Sequence, residues 1–346
     1  MQHDTALSPI TPSAGPGTND PQHSATTSGP VAGAASSVRW SVAVTASREN
    51  PDTLAATLDA ILVALHGNCA VVDLLVNGNP ALARECADLA GALRRLGEGQ
   101  QVRVWSIAAG DKANAWNQYM HALWPGSDVG FFVDGYARPA EDALERLAGD
   151  LHRNRHVLSA TGVPGYGRSA ARLRQQLLAE GGVHGNLFAV RGQVITAFRE
   201  RGFRVPIGMY RVDSLLGAVL AFGLDPSRSQ WDRSRLYVDP DVTWHAPTLS
   251  MFRPADVRTQ LRRVMRQSRG VLETRAVREH LAVRKRLPES LPTTNSELVM
   301  SWLQSSAARR LEVLRLSPLS LLTIREVRNA PRFEPQDLVA ELVAAW

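Results

Sequence analysis

Short apolar segments alternate with helical patterns after Val38, and this alternation restricts the fold more than any other feature of the sequence. The candidate strands are 38–44, 69–76, 101–107 and 128–134. Apolar residues at helical spacing fill the intervals between them. Strands that alternate with helices in this way form a mostly parallel sheet with helices on both of its faces. The pattern therefore predicts an α/β protein.

The composition divides the chain into three regions. Residues 1–37 are mostly Pro, Gly, Ser, Thr and Ala, so they cannot bury enough apolar surface to fold and are predicted to be a disordered low-complexity tail. Residues 38–250 hold the α/β pattern, and prolines divide 251–346 into a basic region of short helices. The sequence has no apolar run of membrane-spanning length, no signal-peptide pattern and only two cysteines. We therefore expect a cytoplasmic protein.

The positive charge is concentrated near the start of the third region. Of 39 basic residues only Lys112 and Lys285 are lysines, and 253–286 holds 11 basic residues against three acidic ones. This excess predicts an anionic partner, either a diphosphate or a membrane surface that the protein would contact peripherally, although a solvated helix face is the simpler alternative. The absence of interleaved aromatic residues argues against nucleic acid.

Polar residues follow each predicted strand. Ligands of open α/β sheets bind at the carboxyl ends of the strands, which directs attention to 45–49, 77–79, 109–112 and 134–136. Each candidate also has a structural alternative: Asp134 as a turn residue, Glu49 as a charge in a first helical turn, and Lys112 as a surface lysine. Asp213, which precedes a later apolar helix, has the alternative of an N-cap.

Six short motifs occur in a recognisable order. They are TASRE (45–49), VNGN (76–79), DKANAWN (111–117), FVDGY (132–136), VDSLLG (212–217) and QLRRV (260–264). Their order and spacing resemble the nucleotide-sugar half of family 2 glycosyltransferases, which have the GT-A fold. The resemblance covers about residues 38–270, and its third motif is similar to the family's Gly-Lys-Ala-x-Ala-Leu-Asn segment.

The resemblance implies an inverting glycosyltransferase that uses a nucleotide-diphosphate sugar, with UDP as the expected nucleotide. Asp213 would be the general base that deprotonates an acceptor hydroxyl. The implied donor-binding residues are Thr45, Glu49, Asn77, Lys112, Asn117, Asp134, Arg263 and Arg266. The acceptor is left open among a small molecule, a glycan, a peptide and a lipid-linked compound.

The sequence departs from the family at the metal-binding Asp-x-Asp motif, where Tyr136 replaces the second carboxylate. A phenol is a poor ligand for Mg²⁺ or Mn²⁺ near neutral pH, so Asp134 would need help from His245, which could instead be a core histidine. Arginines among 262, 263, 266 and 269 offer a second way to neutralise a diphosphate. We therefore expect a divalent metal to be used with reduced dependence.

The weakened motif leaves a second hypothesis open, in which the chain is a catalytically degenerate GT-A-like binding or regulatory module. A nucleotidyltransferase is a third hypothesis, because such folds also carry carboxylates at strand ends. It would need a Gly-rich phosphate loop after the first strand, and 45–49 contains no glycine.

Overall fold

The strands form one mixed sheet. The computed structural model describes residues 39–89, 95–166, 168–246, 254–316 and 320–346. In these ranges the strands are β1 (Trp40–Ala46), β2 (Ala70–Asn77), β3 (Gln100–Ile107), β4 (Val129–Asp134), β5 (Arg138–Pro139), β6 (Ser159–Pro164), β7 (Leu187–Arg191), β8 (Leu236–His245) and β9 (Ala340–Ala345). They lie in the order β5-β8-β6-β7-β4-β1-β2-β3-β9. The tail predicted at 1–37 lies outside the described residues.

The four strands predicted first, β1 to β4, are parallel to one another. The expectation of a mostly parallel sheet does not extend to the rest. β7 is antiparallel to both of its neighbours, β4 and β6, and β9 is antiparallel to β3. The protein is therefore α/β with a mixed sheet, because strands from later in the chain enter it in the opposite direction.

Helices cover both faces of the sheet. They are α1 (Pro51–Ala64), α2 (Pro80–Ala87), α3 (Lys112–Gln118), α4 (Ala143–Arg153), α5 (Arg168–Glu180), α6 (Gly192–Arg201), α7 (Val212–Ala221), α8 (Pro254–Arg278), α9 (Asn295–Gln304), α10 (Ala307–Leu316) and α11 (Ser320–Arg328). Local sequence explains several starts. At α1, the Asn50 side chain accepts a hydrogen bond from Thr53 N, and Pro51 occupies the first helical position. At α3, Asp111 caps the helix by accepting from Asn114 N.

The core has two halves, one on each side of the sheet, because neighbouring strand residues point to opposite faces. On β4, Phe131 packs edge-on against Trp40 at 5.5 Å, whereas Phe132 stacks on Phe188 at 4.8 Å on the other face. Trp116 of α3 packs against Phe132 at 5.0 Å. Trp116 thus holds α3 against the face of β4 that carries Phe132.

The region 251–346 contributes to the second of these half-cores. Leu272 of α8 and Leu298 and Trp302 of α9 are buried with Trp116 and Phe132. The chain then returns to the sheet as β9, a strand where the sequence predicted only helices. The boundary drawn at 250/251 stays a prediction. No helix in the described ranges is both long and apolar enough to span a membrane.

Candidate functional site

The carboxyl ends of β1 and β4 lie side by side. Thr45 and Asp134 are register partners, and the Thr45 hydroxyl donates to Asp134 Oδ1 at 3.3 Å. Because β7 is antiparallel to β4, residues 184–186, which precede β7, reach the same edge of the sheet. Asp134 N donates to Asn186 O there at 3.3 Å. This edge is therefore built from three segments that are distant in sequence.

Gly135 allows the turn after Asp134 to lie directly against β1. A Cβ atom at this position would lie 2.9 Å from Leu54 Cδ2 and 3.1 Å from Thr45 O, so a side chain would displace the turn. Gly135 N donates to Thr45 O at 2.8 Å. The small residue thus fixes the direction in which Asp134 and Tyr136 leave the strand.

Asp134 forms an ion pair with Lys112, the second residue of the DKANAWN motif and the first of α3. Asp134 Oδ2 lies 3.1 Å from the Tyr136 hydroxyl, which is also 3.1 Å from Asn186 Oδ1. The side chains of Lys112 and Asp134 are 32% and 14% exposed, so the pair is partly shielded but open to a ligand. Burial raises the pKa of Tyr136, and the Asp134 charge raises it further, so the phenol stays neutral.

Asp213 faces the same space from α7. Its Oδ2 accepts from Gly185 N at 3.1 Å and its Oδ1 from Ser214 N at 2.9 Å. A Cβ atom on Gly185 would lie 3.1 Å from Lys112 Nζ and 3.4 Å from Asp213 Oδ2, so both charged groups border this glycine. Arg211 holds the N-cap position of α7, and Asp213 lies in the first turn. The N-cap alternative for Asp213 therefore does not describe the structure.

The electrostatics join four of the predicted residues, Glu49, Lys112, Asp134 and Asp213, which we call the charged cluster. Burial by itself lowers the pKa of Lys112. The carboxylates of Asp134, Asp213 and Glu49 more than offset this effect, so its pKa is raised above the ordinary 10.5. Lys112 is thus a permanent cation among three carboxylates.

His184 lies beside the charged cluster, and no motif of the sequence indicated it. Its ring stacks on Trp244 at 5.2 Å, and its Nδ1 accepts from Asn186 N at 3.3 Å. Burial lowers its pKa, and Lys112 lowers it further against the opposing effect of Asp213 and Asp134. A neutral imidazole that accepts at Nδ1 carries its proton on Nε2. Three glycines, Gly181, Gly182 and Gly185, stand next to His184 in the sequence.

Within the charged cluster, Glu49 is also bonded to its own loop. Its Oε2 accepts from Ser47 N at 2.7 Å and from Arg48 N at 2.9 Å. Two other predicted donor-binding residues use their side chains to bond to the protein backbone. Asn77 donates to Ala46 O at 2.8 Å, and the Asn117 amide exchanges two 2.8 Å bonds with the Val205 backbone. Both side chains are buried. Asn77 and Asn117 therefore hold neighbouring loops, and the structure does not bring them to the charged cluster.

The segment that leads into α7 is held at several points. Gly208 N donates to Asp111 Oδ2 at 2.7 Å, and Glu273 of α8 accepts from Tyr210 N at 3.0 Å and from Arg211 N at 2.9 Å. Asn295 Nδ2 donates to Glu273 Oε1 at 2.9 Å. Burial raises the pKa of Glu273, and Arg269 and the backbone amides of Tyr210 and Arg211 oppose that effect. The basic helix α8 thus fixes the backbone that carries Asp213.

The arginines of α8 differ in what they contact. Arg269 donates through Nε to Glu273 Oε1 at 3.0 Å and through a second nitrogen to Gly208 O. These bonds hold it within the protein, and the phosphate contact expected for it stays a prediction. The Arg266 guanidinium lies 5.8 Å from the centre of the Tyr210 ring. Tyr210 directly precedes Arg211, the N-cap residue of α7, so Arg266 lies beside the segment that leads to Asp213. The side chain of Arg263 lies outside the described residues.

The residues present do not fit the predicted divalent metal. Both Asp134 oxygens face protein donors, and one of those donors is the Lys112 ammonium, which would repel a cation. His245 instead stacks on Tyr166 at 4.9 Å. Among the described residues, no three His, Cys, Asp or Glu side chains are grouped so that they could hold a metal ion. Metal use through Asp134 and His245 stays a prediction without support from this donor set.

Among known proteins, the chain shows similarity to solved structures. No protein-family model matches the sequence, and no curated protein matches it. The chain is similar to a mannosyltransferase from Pyrobaculum calidifontis solved in complex with GDP-Man and Mn²⁺. The similarity covers 85% of this chain and 76% of that chain, with 17% sequence identity and a TM-score of 0.49. A likeness of this degree does not define a function, so the residues of the site must carry the proposal.

Proposed function

We propose that the protein is an inverting glycosyltransferase that transfers a sugar from a nucleotide-diphosphate donor, with UDP as the expected nucleotide, to an acceptor hydroxyl. The observation that carries the proposal is the charged cluster. Glu49, Lys112, Asp134 and Asp213 come from four separate motifs, and they surround one space at the carboxyl edge of the sheet. If the order of the motifs had arisen by chance, their charged residues would not be expected to lie together in the structure.

In the proposed reaction Asp213 accepts the proton of the acceptor hydroxyl. The acceptor oxygen forms a bond to the anomeric carbon as the bond from that carbon to the diphosphate oxygen breaks, and the nucleoside diphosphate leaves with the bonding electrons. Gly185 N and Ser214 N each bond to one Asp213 oxygen, which fixes the carboxylate and leaves lone pairs for the acceptor. General base catalysis of this kind contributes about 10²–10⁴-fold to the rate.

Lys112 would neutralise the leaving diphosphate. Its raised pKa keeps it protonated, and a fixed cation in a partly shielded site stabilises charge that develops in the transition state. Asp134 orients this ammonium through the ion pair. Arg266 is the second candidate cation. No step of this mechanism is assigned to a metal.

A donor screen tests the proposal. Purified protein would be given UDP- and GDP-sugars with a panel of hydroxyl acceptors, with and without Mn²⁺, and transfer, hydrolysis and binding would be measured in parallel. Asp213→Asn should lower turnover by about 10²–10⁴-fold with donor affinity nearly unchanged. Asp52→Asn is the matched control, because Asp52 holds the same place in the first turn of α1 and is exposed.

The alternative hypothesis of a degenerate binding module makes a different prediction. The paired Lys112 and Asp134 could hold a nucleotide-sugar without turnover, and Asp213 would then be dispensable. Donor binding without transfer or hydrolysis across the panel would favour the module. If no nucleotide-sugar binds, both hypotheses are wrong.

A further inference from the structure

A cavity of about 500 Å³ lies between α7 and α8, outside the charged cluster. Its walls are apolar. Leu215 and Ala218 of α7, and Phe222 directly after α7, line it together with Val277 of α8 and Leu281 and Ala282 just beyond α8. Pockets that bind small organic molecules typically have volumes in this range. The cavity is therefore suited to a small apolar ligand.

The cavity and the charged cluster lie on different sides of α7. Asp213 points to Gly185, whereas its neighbour Ser214 lines the cavity. Successive residues of an α-helix diverge by about 100°, so one turn presents the two residues in different directions. The cavity is therefore separate from the site proposed for the donor, and Asp213 does not line it.

Two of the three charged residues that line the cavity are cationic. Arg211 and Arg278 line it, and neither has an ion-pair partner within the described ranges. The one acidic group, Glu273, is 1% exposed, and its charge is already offset by Arg269 and by backbone and amide donors. Trp231 also lines the cavity and is 51% exposed, and it gives the space an aromatic edge next to solvent.

We propose that this cavity binds a single alkyl or isoprenoid chain that carries an anionic head group. The chain would occupy the apolar walls, where each methylene that leaves water favours binding. The head group would meet Arg211 and Arg278, because a guanidinium binds phosphate or carboxylate through paired hydrogen bonds. An uncharged or cationic amphiphile could place its chain against the apolar walls, but its head group would not form ion pairs with the arginines. The proposal does not rest on the proposed function.

The test uses dodecyl phosphate below its micellar concentration, with binding measured by isothermal titration calorimetry on the full chain. Inorganic phosphate and dodecyltrimethylammonium are the two comparison probes, one without the chain and one with the opposite charge. We expect saturable binding of one dodecyl phosphate per chain, and binding at least about tenfold weaker for either comparison probe.

Two variants fill the cavity. Ala282→Trp adds a ring at an apolar wall, and Thr274→Trp adds one at an exposed position of α8 that also lines the space. Each should weaken dodecyl phosphate binding at least about tenfold. Arg278→Glu should weaken it at least about threefold, whereas Arg155→Glu, an exposed arginine outside the cavity, should leave it unchanged. Circular dichroism identifies any variant that fails to fold, and the other filling variant then decides.

Asp213→Asn should bind dodecyl phosphate as the wild type does, which separates this proposal from the proposed function. Absence of saturable binding, or unchanged binding by a folded Trp variant, would overturn the site. Equal affinity for dodecyltrimethylammonium would overturn the assignment of an anionic head group.

Discussion

Glu273→Gln tests whether α8 positions the segment that carries Asp213. The Glu273 carboxylate accepts from two backbone amides, from Asn295 Nδ2 and from the Arg269 guanidinium, and it is buried. Glutamine keeps the shape but offers one carbonyl oxygen and an NH₂ group. At least one of the present donors would then face another donor.

The expected cost can be worked from these contacts. Removing one charge of a buried ion pair costs about 3–5 kcal/mol. Arg269 retains Gly208 O and a 3.7 Å contact with Glu326, so the lower end applies. A loss of about 3 kcal/mol corresponds to a fall in Tm of roughly 4 °C for a chain of this size. Displacement of 208–211 should also lower turnover, because Asp213 follows directly.

Differential scanning calorimetry with a parallel turnover assay measures both effects. Glu141→Gln is the control, because it makes the same chemical change at an exposed position. A Tm within about 2 °C of wild type, with turnover unchanged, would refute the positioning role of Glu273.

Four further outcomes are expected. Asp134→Ala should weaken donor binding or turnover by about 2–4 kcal/mol in a folded protein, and wild-type turnover would remove the site from this position. A chelator should lower activity by less than about tenfold, and complete loss restored by Mn²⁺ would contradict the cationic mechanism. Arg266→Ala should weaken donor binding more than Arg155→Ala does, with the difference reduced at high salt; equal effects would exclude Arg266. Burial lowers the pKa of His121 below 6.5, so this group destabilises the fold as pH falls through that value; the Tm of wild type should drop more steeply between pH 7 and 5 than that of His121→Gln, and parallel curves would contradict this.

The sequence was sufficient for the parallel half of the sheet. β1 to β4 are local apolar runs with polar residues directly after them, and their alternation with helices settles their direction. Pairing between distant segments has no such local signal. The antiparallel direction of β7 follows from its pairing with β4, which no local pattern indicates, and β9 stands in a proline-divided tail whose pattern indicates helices.

The site shows the same division. Lys112, Asp134 and Asp213 could be predicted as candidates because charged residues at strand and helix ends are visible in the sequence, and the structure brings the three together. Asn117 stands in an equally good motif, yet both of its amide atoms bond to Val205, a partner that no sequence spacing indicates. His184 reaches the charged cluster only because β7 runs antiparallel to β4, so its position depends on the part of the topology that could not be predicted.

The pairing of β3 with β9 has a consequence for biosynthesis. About 230 residues separate Ile107 from Ala340, so a ribosome working at 5–20 residues per second leaves the outer edge of β3 uncovered for roughly 10–45 s. An uncovered strand edge can pair with other nascent chains. Gln100, Gln101 and Arg103 on this strand supply the polar character that discourages such pairing. We therefore expect the chain to aggregate during expression unless chaperones bind it before β9 has left the exit tunnel.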